Sequence, residues 1–143
     1  MRFMILLTAN ALTETGATPS EALLAEMGGY NEALAKAGVL RDAGGLQPSS
    51  KGARVRFSGA NRTVALGPFP SAERMVAGYW IFEAPSRNEA IEWVKRCPNP
   101  TGDEAEIEIR QLYGPDDFAE IGPSGELRRK EAELAEMAAA ASN

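Results

Sequence analysis

Four segments carry the apolar patterns of β-strands. Residues 2–8 are almost all apolar, which is typical of a strand at the centre of a sheet. Residues 75–84 are rich in aromatic and β-branched side chains, and residues 105–112 alternate between apolar and charged positions. The segment 39–46 is shorter and ends irregularly. The patterns predict four strands, and the alternating one should lie half-buried in an antiparallel sheet.

Three further segments are predicted to be helices, each beginning at a residue that suits a helix start. Thr18 can cap a helix that runs to Ala37. The apolar residues of this helix recur at intervals of four, three and four, which places them on one face: Leu23, Met27, Tyr30 and Leu34. Ser86 and Glu89 form a capping-box pattern at the start of a second helix. A third helix, rich in Glu, Arg, Lys and Ala, should begin at Ser124 and fray towards the end of the chain.

The remaining segments are predicted as connections. Residues 53–57 and 63–66 look like the two arms of a β-hairpin, with a Ser-Gly-Ala-Asn turn at 58–61. Residues 8–17 are small and polar and are predicted as a loop, and residues 114–118 as a turn or a short helix.

The order of the elements predicts the fold class. Strand, helix and strand are followed by the hairpin and then by strand, helix and strand, which is the split β-α-β sandwich of ferredoxin-like α+β proteins. The helices of such a sandwich cover one face of the antiparallel sheet. The other face would be an exposed apolar surface, so a second copy of the chain is expected to cover it in a homodimer.

Composition and charge narrow the function classes. The 143 residues are 44% hydrophobic and 24% charged, which fits one globular domain, and the formal net charge is −5. An acidic chain is unsuited to non-specific nucleic-acid binding. No stretch approaches the length of a membrane span, and the first apolar run is too short for a signal peptide. With a single cysteine, a cytoplasmic location is expected.

The chain contains no histidine. This excludes Ser-His-Asp and Cys-His nucleophiles and histidine metal ligands, so no metal or other cofactor is expected. Acid–base chemistry would have to use Asp, Glu, Lys, Tyr or Cys97. Cys97 itself should be structural, because the negative end of a helix dipole disfavours a thiolate. The acidic run at residues 103–108 is expected to be a solvated face rather than a cation site.

Several short motifs, in their order and spacing, resemble YCII-related (DGPF) proteins. They are the opening strand 1–7, the segment 30–40, Gly44–Pro48, Leu66–Phe69, Gly78–Ala84 with Asn88–Trp93, Cys97-Pro98 and Ile107–Tyr113. The resemblance spans about residues 1–121 and implies a dimeric α+β barrel. It leaves residues 122–143 as a C-terminal helical extension.

One departure bears on catalysis. In the family, an Asp in the Asp-Gly-Pro-Phe turn and a His are the suspected catalytic pair. Here Leu66 occupies the Asp position, and a leucine can neither ionise nor accept a proton. The resemblance therefore implies that Gly67, Pro68 and Phe69 form a turn and a cleft wall, but it implies no acid–base pair in this chain.

The candidate ligand-binding residues are Arg41, Gly67, Pro68, Phe69, Tyr79 and Glu83. Tyr79 and Glu83 share a face of the central strand, and Arg41 could clamp an anion beside them. Each group also has a structural interpretation. The Gly-Pro-Phe segment could be a plain turn with a buried ring, Arg41 and Asp42 a solvated edge pair, and Tyr79 part of a dimer interface.

Three functions compete on the sequence alone. The favoured one is a non-catalytic dimeric module that binds a small molecule or a partner. The alternative is a cofactor-free isomerase or lyase that acts on a small organic substrate in the inter-subunit cleft, with Tyr79 or Glu83 as the proton carrier. A structural accessory subunit, with an interior filled by side chains, is the third.

Overall fold

A four-stranded antiparallel sheet organises the protein, which is described by a computed structural model for residues 1–71, 75–100, 104–118 and 125–142. The strand order is β2-β5-β1-β6. The strands span β1 Arg2–Thr8, β2 Leu40–Gly45, β5 Val76–Glu83 and β6 Ile107–Gln111, and a separate two-stranded sheet consists of β3 Ala53–Ser58 and β4 Asn61–Leu66. The predicted α+β class with an antiparallel sheet is confirmed.

The register places alternate residues of the central strands on opposite faces. Ile5 lies opposite Trp80, and Met4 lies opposite Ile81. Ile5 and Trp80 are buried, whereas Met4 and Ile81 are only half-buried. The sheet therefore has one face in the core and a second, more accessible face, because side chains alternate along a strand.

Two helices, α2 Glu21–Lys36 and α3 Arg87–Val94, cover the core face. Two further helices are α1 Ala11–Glu14 and α4 Glu126–Ala141. Tyr30 and Leu34 of α2 and Ala90 of α3 pack with Phe3 and Phe82 of the sheet into one apolar cluster. Burial of these side chains fixes the helices against the sheet, since each buried aliphatic or aromatic side chain contributes about 1.5–3 kcal/mol.

Two predictions about the first helical region were wrong. The long helix begins at Glu21 rather than near Pro19, because the Ser20 side chain accepts the N-cap hydrogen bond from the backbone of Leu23. The supposed loop at 8–17 contains α1, whose Asn10 and Thr13 form a reciprocal capping box. The Ser86 cap of α3 is observed as predicted, with the backbone N–H of Glu89 as its donor.

The C-terminal helix α4 contacts the short helical turn Pro115–Phe118, where Arg128 forms an ion pair with Asp116. The predicted boundary between a domain at 1–121 and an extension at 122–143 lies outside the described residues. Leu134 and Met137 of α4 are exposed.

Candidate functional site

The site with the best-defined geometry is a cavity of about 650 Å³ on the core side of the sheet. It lies between the first half of α2, the loop that follows α1, and the ends of β2 and β5. A volume of this size falls within the range of about 300–1,000 Å³ that is common for small-molecule sites. Its lining residues include Thr13, Ala17, Leu23, Leu24, Met27, Asn31, Leu46, Gln47, Pro48, Ala77, Tyr79 and Trp80.

The wall chemistry is apolar with a few neutral polar groups. None of the described lining residues is Asp, Glu, Lys, Arg or Cys. The polar side chains are the amides of Asn31 and Gln47, the hydroxyls of Thr13 and Thr18, and the phenol of Tyr79. Such a wall favours an uncharged ligand, because a buried charge without a partner is costly.

Asn31 and Trp80 are joined across the cavity wall. The indole N–H of Trp80 donates a hydrogen bond of 2.8 Å to Oδ1 of Asn31. Trp80 also packs edge-to-face on Tyr30, with ring centroids 6.1 Å apart. The bond holds the indole in place and uses the amide oxygen of Asn31, so its NH₂ group remains as the donor that the side chain can offer to a ligand.

Tyr79 lies beside Gly44 on the neighbouring strand. A Cβ atom at Gly44 would come within 2.9 Å of the Tyr79 ring, so the absence of a side chain there makes room for the ring. The phenol donates a 3.3 Å hydrogen bond to Asp42. The negative charge of Asp42 raises the pKa of Tyr79, which keeps the phenol protonated near neutral pH and makes it a poor general base.

Arg41 and Glu83 form an exposed ion pair at the rim of the accessible sheet face. Nε of Arg41 lies 2.6 Å from Oε2 of Glu83. About half of each side chain is exposed, and neither residue lines the cavity. The structure thus brings these two predicted site residues together, but on a different surface from the cavity.

Gly67, Pro68 and Phe69 lie at the base of the β3–β4 hairpin. Gly67 packs so closely on the backbone of Ser49 that a Cβ atom would overlap its carbonyl oxygen at 1.6 Å. The backbone N–H of Phe69 donates to the Ser49 hydroxyl, which in turn donates to the carboxylate of Glu14. None of the three lines the cavity. Their observed contacts are those of a turn that fastens the hairpin to α1.

Leu66, which occupies the family's acidic position, is 77% exposed. Its side chain lies on the hairpin, opposite Ala53, and is not among the residues that line the cavity. Gly67 and Phe69 are thus the parts of the motif with observed packing roles in this chain.

Two ionisable groups lie near the interior without lining the cavity. Burial raises the pKa of the Cys97 thiol from 9.0 to about 11. Burial also raises the pKa of Tyr30, whose phenol donates a 3.0 Å hydrogen bond to the carbonyl of Trp93. Both groups are neutral near pH 7, which agrees with a structural interpretation of Cys97.

The sequence reasoning missed Asn31, Gln47 and Trp80 as wall residues. A signal for Asn31 was present, since it follows Met27 by four residues and precedes Leu34 by three, so it had to lie on the apolar face of α2. A polar residue within an apolar stripe needs a partner when it is buried. Nothing in the sequence identified Trp80 as that partner.

Fold and cavity together define the class: an α+β protein that is compatible with the ferredoxin-like arrangement and has a ligand-sized cavity between its sheet and its long helix. The chain belongs to the YCII-related family, since the family's domain model matches residues 1–113. A protein of Rhizobium meliloti (strain 1021), described as uncharacterised, is 23% identical over 92 residues, which cover 64% of this chain and 74% of that protein. Among the described residues, no helix is long and apolar enough to cross a membrane.

Proposed function

We propose that this protein is a non-catalytic module that binds a small, uncharged, largely apolar organic molecule in the cavity beside Trp80. The observation that carries the proposal is a cavity of about 650 Å³ whose described walls hold no carboxylate, ammonium, guanidinium or thiol group. Its apolar surface would supply the binding energy, and the amides of Asn31 and Gln47 would orient a polar group of the ligand.

The electrostatics of the predicted catalytic candidates support binding over catalysis. Arg41 and Glu83 neutralise each other, and neither reaches the cavity wall. Tyr79 does reach it, but the neighbouring Asp42 raises its pKa and so lowers its strength as an acid. A cofactor-free isomerase or lyase would need a proton carrier with a pKa near the working pH, which this arrangement does not supply.

The proposal includes a homodimer formed through the open face, defined here by the half-buried side chains of Met4, Leu6, Tyr79 and Ile81. Oppositely charged groups border it, with Arg41 and Glu83 on one side and Glu108 and Arg110 on the other. A self-complementary apolar patch with a charged rim is suited to a two-fold interface.

Binding is tested with N-phenyl-1-naphthylamine, an uncharged apolar fluorophore, titrated into the full chain. We expect saturable binding with energy transfer from Trp80. Leu24→Arg places a charge at the cavity wall on a side chain that is already 54% exposed, and should weaken binding by about tenfold or more. Leu134→Arg is the control, at a side chain 57% exposed on α4. Failure of the wild type to saturate, or equal weakening by both variants, would contradict the binding site.

Assembly is tested separately by sedimentation equilibrium. The wild type should have the mass of two 15.3 kDa chains, and Ile81→Lys should yield monomers by placing a charge at the centre of the open face. Leu134→Lys should remain dimeric. A wild type that stays monomeric would disprove the assembly and leave the cavity proposal standing, because the cavity walls apart from Tyr79 do not belong to the open face.

A further inference from the structure

The β3–β4 hairpin has a charge opposite to that of the rest of the chain. Residues 43–71 contain four basic residues, Lys51, Arg54, Arg56 and Arg62, and no acidic residue. The formal net charge of the whole chain is −5, so a charge of +4 on residues 43–71 leaves a net charge of −9 on the other residues. The hairpin is thus a basic arm on an acidic protein, and opposite charges of this size attract one another between molecules.

One face of the hairpin is apolar and exposed. Val55 pairs directly with Val64, and Ala53 with Leu66, so these side chains share a face with Phe57. Val64 is 64% exposed, and Phe57 and Leu66 are exposed still further. A two-stranded hairpin is at best marginally stable alone in water, so this face is expected to pack against another surface.

The acidic counterpart lies at the opposite edge of the main sheet. Glu104, Glu106 and Glu108 are exposed at and before β6, and we name them the acidic edge. Among the described residues, Glu108 has one ion pair, a long one of 3.9 Å to Arg110. Within the described part of the chain, Arg62 on the hairpin and Glu104 and Glu106 on this edge take part in no ion pair.

Symmetry relates the two edges. The hairpin leaves the sheet after β2, and β2 and β6 are the two edge strands of the order β2-β5-β1-β6. A two-fold axis that runs parallel to the strands, between two open faces, places the β2 edge of each copy opposite the β6 edge of the other. The basic hairpin of one copy then lies next to the acidic edge of its partner, twice in each dimer.

We infer that the β3–β4 hairpin is a docking arm that packs on the acidic edge of a second copy of this chain. The inference rests on the proposed homodimer and adds to it the segment that would fix the pairing. A second copy is favoured over a nucleic acid because the phosphate backbone could neutralise the arginines but would not cover Val55, Val64 and Phe57.

A matched pair of lysine variants tests the apolar contact. Val64→Lys and Thr63→Lys add the same charge to neighbouring positions on opposite faces of β4. Val64→Lys should raise the dimer dissociation constant by about tenfold or more, because each dimer loses two apolar contacts. Thr63→Lys should change the dissociation constant by less than about threefold. Equal effects of the two variants would overturn the inference.

A mixing experiment tests the charges between copies. Arg62 lies opposite Phe57, on the apolar face of the hairpin. Arg62→Glu and Glu106→Arg should each weaken the homodimer, because each places like charges in both contacts. An equimolar mixture should recover an affinity near that of the wild type, because both contacts of the heterodimer again join opposite charges. Circular dichroism checks that each variant folds. A mixture that associates no better than the weaker homodimer would overturn the inference.

The outcomes separate this inference from the proposed assembly. A dimer that is abolished by Ile81→Lys yet unaffected by Val64→Lys and by mixing would leave the assembly standing and reject the docking arm. A monomeric wild type would reject both. A labelled 20-base-pair DNA can be titrated at about 0.1 M salt. DNA binding that is lost in Arg62→Glu would reject the second copy as the occupant in favour of a nucleic acid.

Discussion

Asn31 of α2 accepts a 2.8 Å hydrogen bond from the indole nitrogen of Trp80 on the central strand. This bond is a polar link between helix and sheet at the wall of the cavity. Trp80 is buried, so the link satisfies a donor that has little access to water.

Asn31→Leu should therefore destabilise the protein although it adds apolar surface. The indole N–H of Trp80 would lose its acceptor, which costs about 1–3 kcal/mol for a buried donor. Urea denaturation followed by circular dichroism measures the change. Glu32→Ala, at the exposed neighbouring position, removes only a surface pair with Lys36 and should cost less than about 0.5 kcal/mol. Similar losses in both variants would argue against the link.

Gly44→Ala should displace the ring of Tyr79. The new Cβ atom would lie 2.9 Å from the ring, which would have to swing away and lose its hydrogen bond to Asp42. Ultraviolet titration of the tyrosines should then show the pKa of Tyr79 falling back towards its ordinary value, because the Asp42 charge that raises it would be further away. Gly45→Ala has open space around its Cβ and should leave the titration unchanged.

Gly67→Ala should be strongly destabilising. Its Cβ would overlap the backbone of Ser49, which cannot be relieved by a side-chain rotation, so we expect a loss of about 3 kcal/mol or more in the free energy of unfolding. Gly52→Ala is the control beside the same carbonyl, where the Cβ would sit at 3.4 Å, and should change stability by less than about 1 kcal/mol. A tolerated Gly67→Ala would mean that the hairpin base is not fastened to Ser49.

Cys97 should react as a weakly acidic thiol in the native state. The rate of alkylation by iodoacetamide against pH should give a pKa of about 11, compared with 9.0 for an ordinary thiol, and unfolding in urea should restore the ordinary value. The pKa of the Cys97 thiol is higher in the folded state than in the unfolded state. The contribution of the protonated thiol to stability is therefore complete below pH 9.0 and is lost as the pH rises through about 11. In Cys97→Ala, stability should fall less over that interval. A native pKa near the ordinary value would place the thiol in water.

The sequence by itself determined the class of fold. The alternation of Ile107 and Ile109 with charged residues defines a half-buried strand, and the spacing of Met27, Tyr30 and Leu34 defines one helix face, because these periodicities follow from backbone geometry alone. The absence of histidine fixed in advance which catalytic mechanisms were excluded. The motifs from the first strand to Tyr113 were sufficient to identify the family, whose model matches residues 1–113.

Only the tertiary structure decided where the candidate site lies. Arg41, Phe69 and Tyr79 look like one group along the chain, yet Arg41 pairs with Glu83 on the sheet rim and Phe69 lies at the hairpin base. Asn31 and Trp80 are 49 residues apart and meet through a single hydrogen bond. The position of a cavity depends on how helix, strand and loop pack around the same space, and local sequence patterns carry no information about such long-range contacts.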